Sequence, residues 1–166
     1  MTPKSFQDYY SEQTAHCYGC GRLNEHGLHI QSYWDGDDAV CTFTPRAYHT
    51  AIPGYVYGGL VASLIDCHST GTAAAAMYRH EGRAMDTEPA FRFVTASLHV
   101  DYLKPTPMGV PLVVRARAKE IKVGDPARGR RKVVIEAELI ANDIVCARGN
   151  VVCVQMPEHM LAHKSQ

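Results

Sequence analysis

Nothing in this chain approaches the roughly 18 consecutive apolar residues that a membrane-spanning helix needs, although 46% of its 166 residues are hydrophobic. Its first residues, MTPKSFQDYYSEQ, lack the apolar centre of a secretory leader. An excess of charge is missing too. Lys plus Arg and Asp plus Glu number 17 each, a balance that gives no general attraction for nucleic acid or an anionic membrane and leaves any anionic ligand to a local cluster. We therefore expect a cytoplasmic protein with neither nucleic acid nor membrane as a partner. Four of the six cysteines, Cys41, Cys67, Cys146 and Cys153, stand singly in apolar segments, where cysteine acts as a small buried hydrophobe. Reduced thiols are the default without export, so no disulfide framework is expected. Internal repeats and low-complexity tracts are absent as well.

One stretch organises the rest. Residues 58–77, GGLVASLIDCHSTGTAAAAM, have the length of a central helix and a single formal charge, Asp66. Leu60, Val61, Leu64, Ile65 and residues 73–77 put apolar surface on nearly every side, the mark of a helix that is buried all round. Steps of three and four from Asp66 reach Gly59, Ala62, Ser63, Ser69, Thr70 and Ala73. That stripe of small or hydroxylated side chains lets another group approach closely. Gly58 and Gly59 leave the helix entrance uncovered, where free backbone N–H donors and the macrodipole favour negative charge. His68 lies off the Asp66 stripe and reads as a core or interface histidine. Cys67 has no base at a workable spacing, and burial raises a thiol's pKa, which argues against a nucleophile there.

Around this stretch, residues 6–13 suggest a short helix and residues 16–29, HCYGCGRLNEHGLH, a loop. Its CxxC and HxxH could hold a tetrahedral zinc. Only five residues separate Cys20 from His26, however, where familiar sites have about twelve or more. A tight glycine-shaped loop is the expectation, with no metal and no organic cofactor. Residues 28–34 and 39–44 read as strands joined by Asp35-Gly36-Asp37. Residues 94–103, 110–121, 131–141 and 144–155 read as four more, and their short connections favour antiparallel neighbours. A long helix apolar on all sides then needs a curved sheet around it, or a second subunit, to be covered.

The residues also carry a family resemblance. Tyr57-Gly58-Gly59, followed by Leu64-Ile65-Asp66 with Asp66 seven residues after Gly59, resembles the helix-start motif of the hotdog-fold thioesterases. The similarity is to the group of phenylacetyl-CoA and medium-chain acyl-CoA thioesterases, whose motif reads His-Gly-Gly and then Leu-x-Asp. Residues 49–54 resemble the family's approach loop, and residues 94–105, ending Tyr102-Leu103-Lys104-Pro105, its third strand. Cys17-Tyr18-Gly19-Cys20-Gly21 with Asn24 and Gly27-Leu28 is similar to the amino-terminal loop of one subgroup, and Gly129-Arg130-Arg131 to the start of a fifth strand. Two positions depart from the pattern: Tyr57 stands where the motif has His, and Ala51 where some members have a polar side chain.

The resemblance implies an α+β hotdog fold, an antiparallel sheet of about six strands wrapped round one long helix. It implies a homodimer, or a dimer of dimers, with active sites between subunits and an acyl-CoA substrate hydrolysed to free acid and CoA. Asp66 would be the nucleophile or the base that activates water, the N–H near Gly59 would polarise the thioester carbonyl, and Thr95 would hold the water. Tyr57, Gly58 and His49 would border the substrate. A non-catalytic acyl-thioester or small-ligand binding protein on the same fold is the alternative. Lys122, Arg128, Arg130, Arg131 and Lys132 face one acid, Asp125, in the chain's one concentrated basic segment. Arg130 and Arg131 offer paired N–H forks for the phosphates of CoA, while a solvated hairpin is the plainer reading. By domain we expect an amino-terminal segment at 1–27, the hotdog unit at 28–156 and a tail at 157–166.

Overall fold

The nearly uncharged stretch forms the helix α1, Gly58–His80, with fifteen of its 23 residues buried. In the computed structural model, which describes residues 3–124 and 130–161, α1 is the rod on which everything else is laid. Arg79 and His80 in its last turn complement the macrodipole. Gly82, at φ 62°, then turns the chain away through the left-handed conformation that glycine adopts without strain. None of the described helices is long and apolar enough to cross a membrane.

Six strands form one antiparallel sheet. They are β1 (Tyr33–Asp35), β2 (Asp38–Phe43), β3 (Phe93–Tyr102), β4 (Leu112–Lys122), β5 (Lys132–Ala141) and β6 (Ile144–Gln155), in the order β1-β2-β4-β5-β6-β3. Strand β5 shows the rule that builds it: Val133, Ile135, Ala137, Leu139 and Ala141 are buried, and Glu136 and Glu138 between them face outward. Each large apolar side chain covered in this way contributes about 1.5–3 kcal/mol. Helix α1 packs over β3, β4, β5 and β6, and it approaches closely at Gly149, where a Cβ would lie 2.4 Å from Ile65 Cγ2. On the other face, Arg115 bridges Asp35 and Asp38, Arg117 meets Asp38 at 2.6 Å, and Arg148 meets Glu138 at 2.9 Å. Exposed pairs of this kind contribute little stability; they keep that face wet.

The amino-terminal segment is pinned to α1 through a buried polar network. The Ala39 carbonyl can only accept, so His68 Nε2, 3.1 Å away, carries the ring proton, and Nδ1 accepts from Ser32 Oγ at 2.8 Å. Gln7 completes the set, donating to Ser32 Oγ and accepting from the Ser32 N–H at 2.8 Å. Burial pushes the His68 imidazole down to about 4, so it is a neutral core residue.

Three expectations are corrected. Residues 6–13 form two 3-10 turns, Phe6–Tyr9 and Glu12–Thr14, rather than one helix. Residues 28–32 are not strand, because their backbone donors are taken elsewhere: Leu28 N–H by Tyr18 O at 2.7 Å and Ile30 N–H by Gly19 O at 3.0 Å. Strands β3 and β4 are not neighbours despite their short connection. That segment crosses the end of the sheet, held by Cys146 O, which accepts from Leu103 and Lys104, and by Thr106 O, which accepts from Val56.

Candidate active site

Asp66 occupies the middle of α1, where most side chains face the sheet, but its own carboxylate is only half-buried. Its Oδ1 accepts a hydrogen bond from Thr95 Oγ1. Thr95 lies at an irregularity in β3, since the pairing with β6 slips between Thr95 and Ser97. A bulge of this sort re-aims a side chain, and here it turns the hydroxyl toward the helix. Burial pushes the Asp66 carboxyl above its usual range, the Thr95 hydrogen bond opposes the rise, and the Cys17 sulfur adds to it. The stripe around Asp66 is shorter than expected. Gly59, Ala62, Ser63 and Thr70 share its partial exposure, whereas Ser69 and Ala73 are buried.

At the helix entrance Tyr57 is the N-cap residue and makes no side-chain cap. Its carbonyl accepts from Leu60 at 3.0 Å and Val61 at 3.3 Å. The N–H groups of Gly58 and Gly59 are thus the first-turn donors left over, as helix geometry dictates. The exposed Tyr57 ring folds back over Gly59: a Cβ there would stand 2.4 Å from the ring and 2.5 Å from the phenol oxygen. From the other side Tyr102 O–H donates to Gly58 O at 2.8 Å, tying the end of β3 to the start of α1. Sequence reasoning missed that tie, whose signal was the Tyr-Leu-x-Pro ending of the strand.

The remaining candidates fall into two groups. His49 adjoins the entrance through its carbonyl, which accepts the Tyr57 N–H at 2.9 Å. Its ring packs against Tyr48 and Phe43, with Nδ1 accepting from the Arg46 N–H at 3.0 Å. Burial, then the Arg46 charge, lowers the His49 pKa. The two arginines differ: Arg130 is exposed, while Arg131 directs Nε and Nη2 onto Glu81 Oε1, both at 3.0 Å, and stacks over Phe91. Asp125 and Arg128 of the basic segment lie outside the described residues, and Lys122 meets Glu120 at 3.0 Å.

One long helix covered by a six-stranded antiparallel sheet defines the hotdog class. The chain belongs to the thioesterase superfamily, whose family model matches residues 53–148. A thioesterase superfamily protein of known structure from Shewanella loihica PV-4 is 45% identical, with a TM-score of 0.66 over 91% of this chain and 99% of that one. The Escherichia coli PaaI protein shares the fold at 18% identity and a TM-score of 0.59, over 78% of this chain and 81% of its own. The Xenopus laevis acyl-coenzyme A thioesterase THEM4 is 30% identical over 104 residues, 63% of this chain and 38% of the relative. The mouse THEM4 is 37% identical over 83 residues, 50% of this chain and 30% of the relative. This chain thus spans well under half the length of those two relatives.

Proposed function

We propose that the chain is an acyl-CoA thioesterase in which Asp66 drives attack on the thioester and the N–H groups at Gly59 hold the oxyanion. The observation that carries this reading is the half-buried Asp66 carboxylate, bonded by Thr95 on the one open stripe of an otherwise covered helix. A carboxylate partly stripped of water is a stronger base than a solvated one. As base, Asp66 takes a proton from water oriented by Thr95, and the water oxygen bonds to the carbonyl carbon. The carbonyl electrons pass to oxygen and are stabilised by fixed backbone donors that need no reorganisation. They return as the C–S bond breaks, releasing the acid and CoA thiolate, which takes up a proton. As nucleophile, Asp66 would instead form an anhydride that water then hydrolyses.

This reading calls for a site shared between two copies, as the resemblance implies. Gly59 and Asp66 are seven residues apart, about 10 Å along the helix axis, whereas both must come within about 3 Å of one carbonyl. Two copies with opposed helices would bring the Gly59 of one toward the Asp66 of the other, and a homodimer or a dimer of dimers is the working unit this reading expects. Strand β3 supports pairing: it is an edge strand with Leu98 and Tyr102 exposed, and such an edge invites another strand. Arg130 is the candidate for the CoA phosphates.

A second reading, a non-catalytic binder of acyl thioesters, is favoured by one feature, the Tyr57 ring lying over Gly59 where a carbonyl oxygen would approach. Thiol release from short, medium, long and aryl acyl-CoAs, by wild type and Asp66→Asn in parallel, separates the two. Turnover by wild type that vanishes in the variant is expected. A folded wild type that binds the panel without releasing thiol would put the binding reading first.

A further inference from the structure

Far apart in sequence, Cys17, Cys20 and Cys67 converge until their three sulfurs all lie within 4.8 Å of one another. Two come from the amino-terminal loop and one from α1. The loop is built for the meeting. Gly21 N–H closes onto Cys17 O at 2.8 Å and Leu23 N–H onto Ala15 O at 2.9 Å. Gly19 admits the third ligand, since any Cβ there would stand 2.2 Å from Cys67 Sγ.

We propose that Cys17, Cys20 and Cys67 form a binding site for one thiophilic metal ion of the zinc class, with a fourth position open to solvent beside Cys17. The Cys17 and Cys67 sulfurs are 3.7 Å apart. That is close to the ~3.8 Å edge of a tetrahedron with metal–sulfur bonds of about 2.3 Å, and far longer than the roughly 2.05 Å of a disulfide. Charge is provided for as well. Arg92 brings a cation to this amino-terminal loop, donating to Thr14 O at 3.3 Å, and its Nε is buried without a hydrogen-bond partner among the described residues. A guanidinium there offsets the surplus negative charge of three thiolates around a divalent ion. Cys20 and Cys67 are buried and Cys17 is exposed, which gives the ion a way in. His26 and His29, the other half of the sequence pattern, are engaged elsewhere. His26 pairs with Glu25 at 3.2 Å, and the His29 ring meets the Asn24 carbonyl. The third ligand comes from the helix, and this site replaces the expectation of no metal. It does not rest on thioester hydrolysis.

The test is metal content of the full chain, produced with zinc and dialysed against metal-free buffer. Wild type and His26→Ala are expected to keep one zinc per chain, and Cys17→Ser and Cys67→Ser to lose it. Cobalt loading should give thiolate-to-cobalt charge-transfer absorption in wild type and not in Cys17→Ser, whose exposed position leaves the fold intact by circular dichroism. Three outcomes would each overturn the proposal: a wild type that holds no zinc and titrates as free thiols at all three positions, a Cys17–Cys67 disulfide that forms equally with and without zinc, or undiminished zinc in Cys17→Ser. None of these readouts involves turnover, so failure of the thioesterase reading would leave this test standing.

Discussion

Asp66 and His68 stand two residues apart on one helix and have opposite fates. His68 is fully buried with both ring nitrogens matched, Ser32 on one and Ala39 on the other. Asp66 is half-open with one hydrogen-bond partner among the described residues, Thr95. Burial shifts both toward the neutral form, His68 downward and Asp66 upward. The difference lies in what remains unsatisfied. A buried polar group with all its partners fixes structure, whereas a carboxylate with spare lone pairs facing a close-approach stripe is available for chemistry.

The sharpest way to break this comparison is to neutralise each residue in turn. Asp66→Asn should cost at least about a hundredfold in kcat while leaving the urea midpoint and oligomeric state unchanged; retained turnover would remove Asp66 from the chemistry. His68→Ala should do the reverse, lowering unfolding stability by about 2–4 kcal/mol by opening a cavity and stranding Ser32 and Ala39 O.

The pH dependence of stability sharpens it further. Above pH 6.5 the imidazole is neutral in both folded and unfolded chains and costs nothing. As pH falls from 6.5 toward about 4, the unfolded chain takes up the proton and the folded one does not. His68 therefore subtracts stability across that window, by on the order of 3 kcal/mol at its lower end. Denaturation of wild type against His68→Gln between those pH values should show the gap closing as pH falls. Smaller again is Thr95→Val, for which we expect roughly a tenfold fall in kcat and little change in KM, read by steady-state kinetics on any accepted acyl-CoA. The least is Arg130→Ala, a KM raised about twofold to fivefold for CoA esters, as for the loss of one exposed charge contact, and unchanged for cysteamine thioesters.

Much of this was legible in the sequence, for identifiable reasons. The lack of charge between Gly58 and Tyr78 marked α1, and period-two alternation marked β4 and β5, because burial leaves a direct print on residue type. The Gly59-to-Asp66 spacing marked the candidate acid. What stayed hidden depends on three-dimensional closure. Nothing local shows that β3 skips β4 to join β6, that Arg131 turns onto Glu81, or that Ser69 and Ala73 belong to the core. The Cys17 loop reaches Cys67 across 50 residues, a distance at which periodicity and spacing say nothing.

The sheet order has a further consequence, for the time at which the site comes into being. Thr95 sits opposite Cys153, and β3 has no described strand beside it except β6. Asp66 sits on a helix whose backbone hydrogen bonds are local, but Thr95 is held only when a strand 58 positions further along the chain closes on it. Pairings across such separations form late, after the loop-closure entropy has been met. During synthesis the nascent chain thus passes through a stage in which the acid is formed but lacks its hydroxyl partner, and the two meet only when β6 docks.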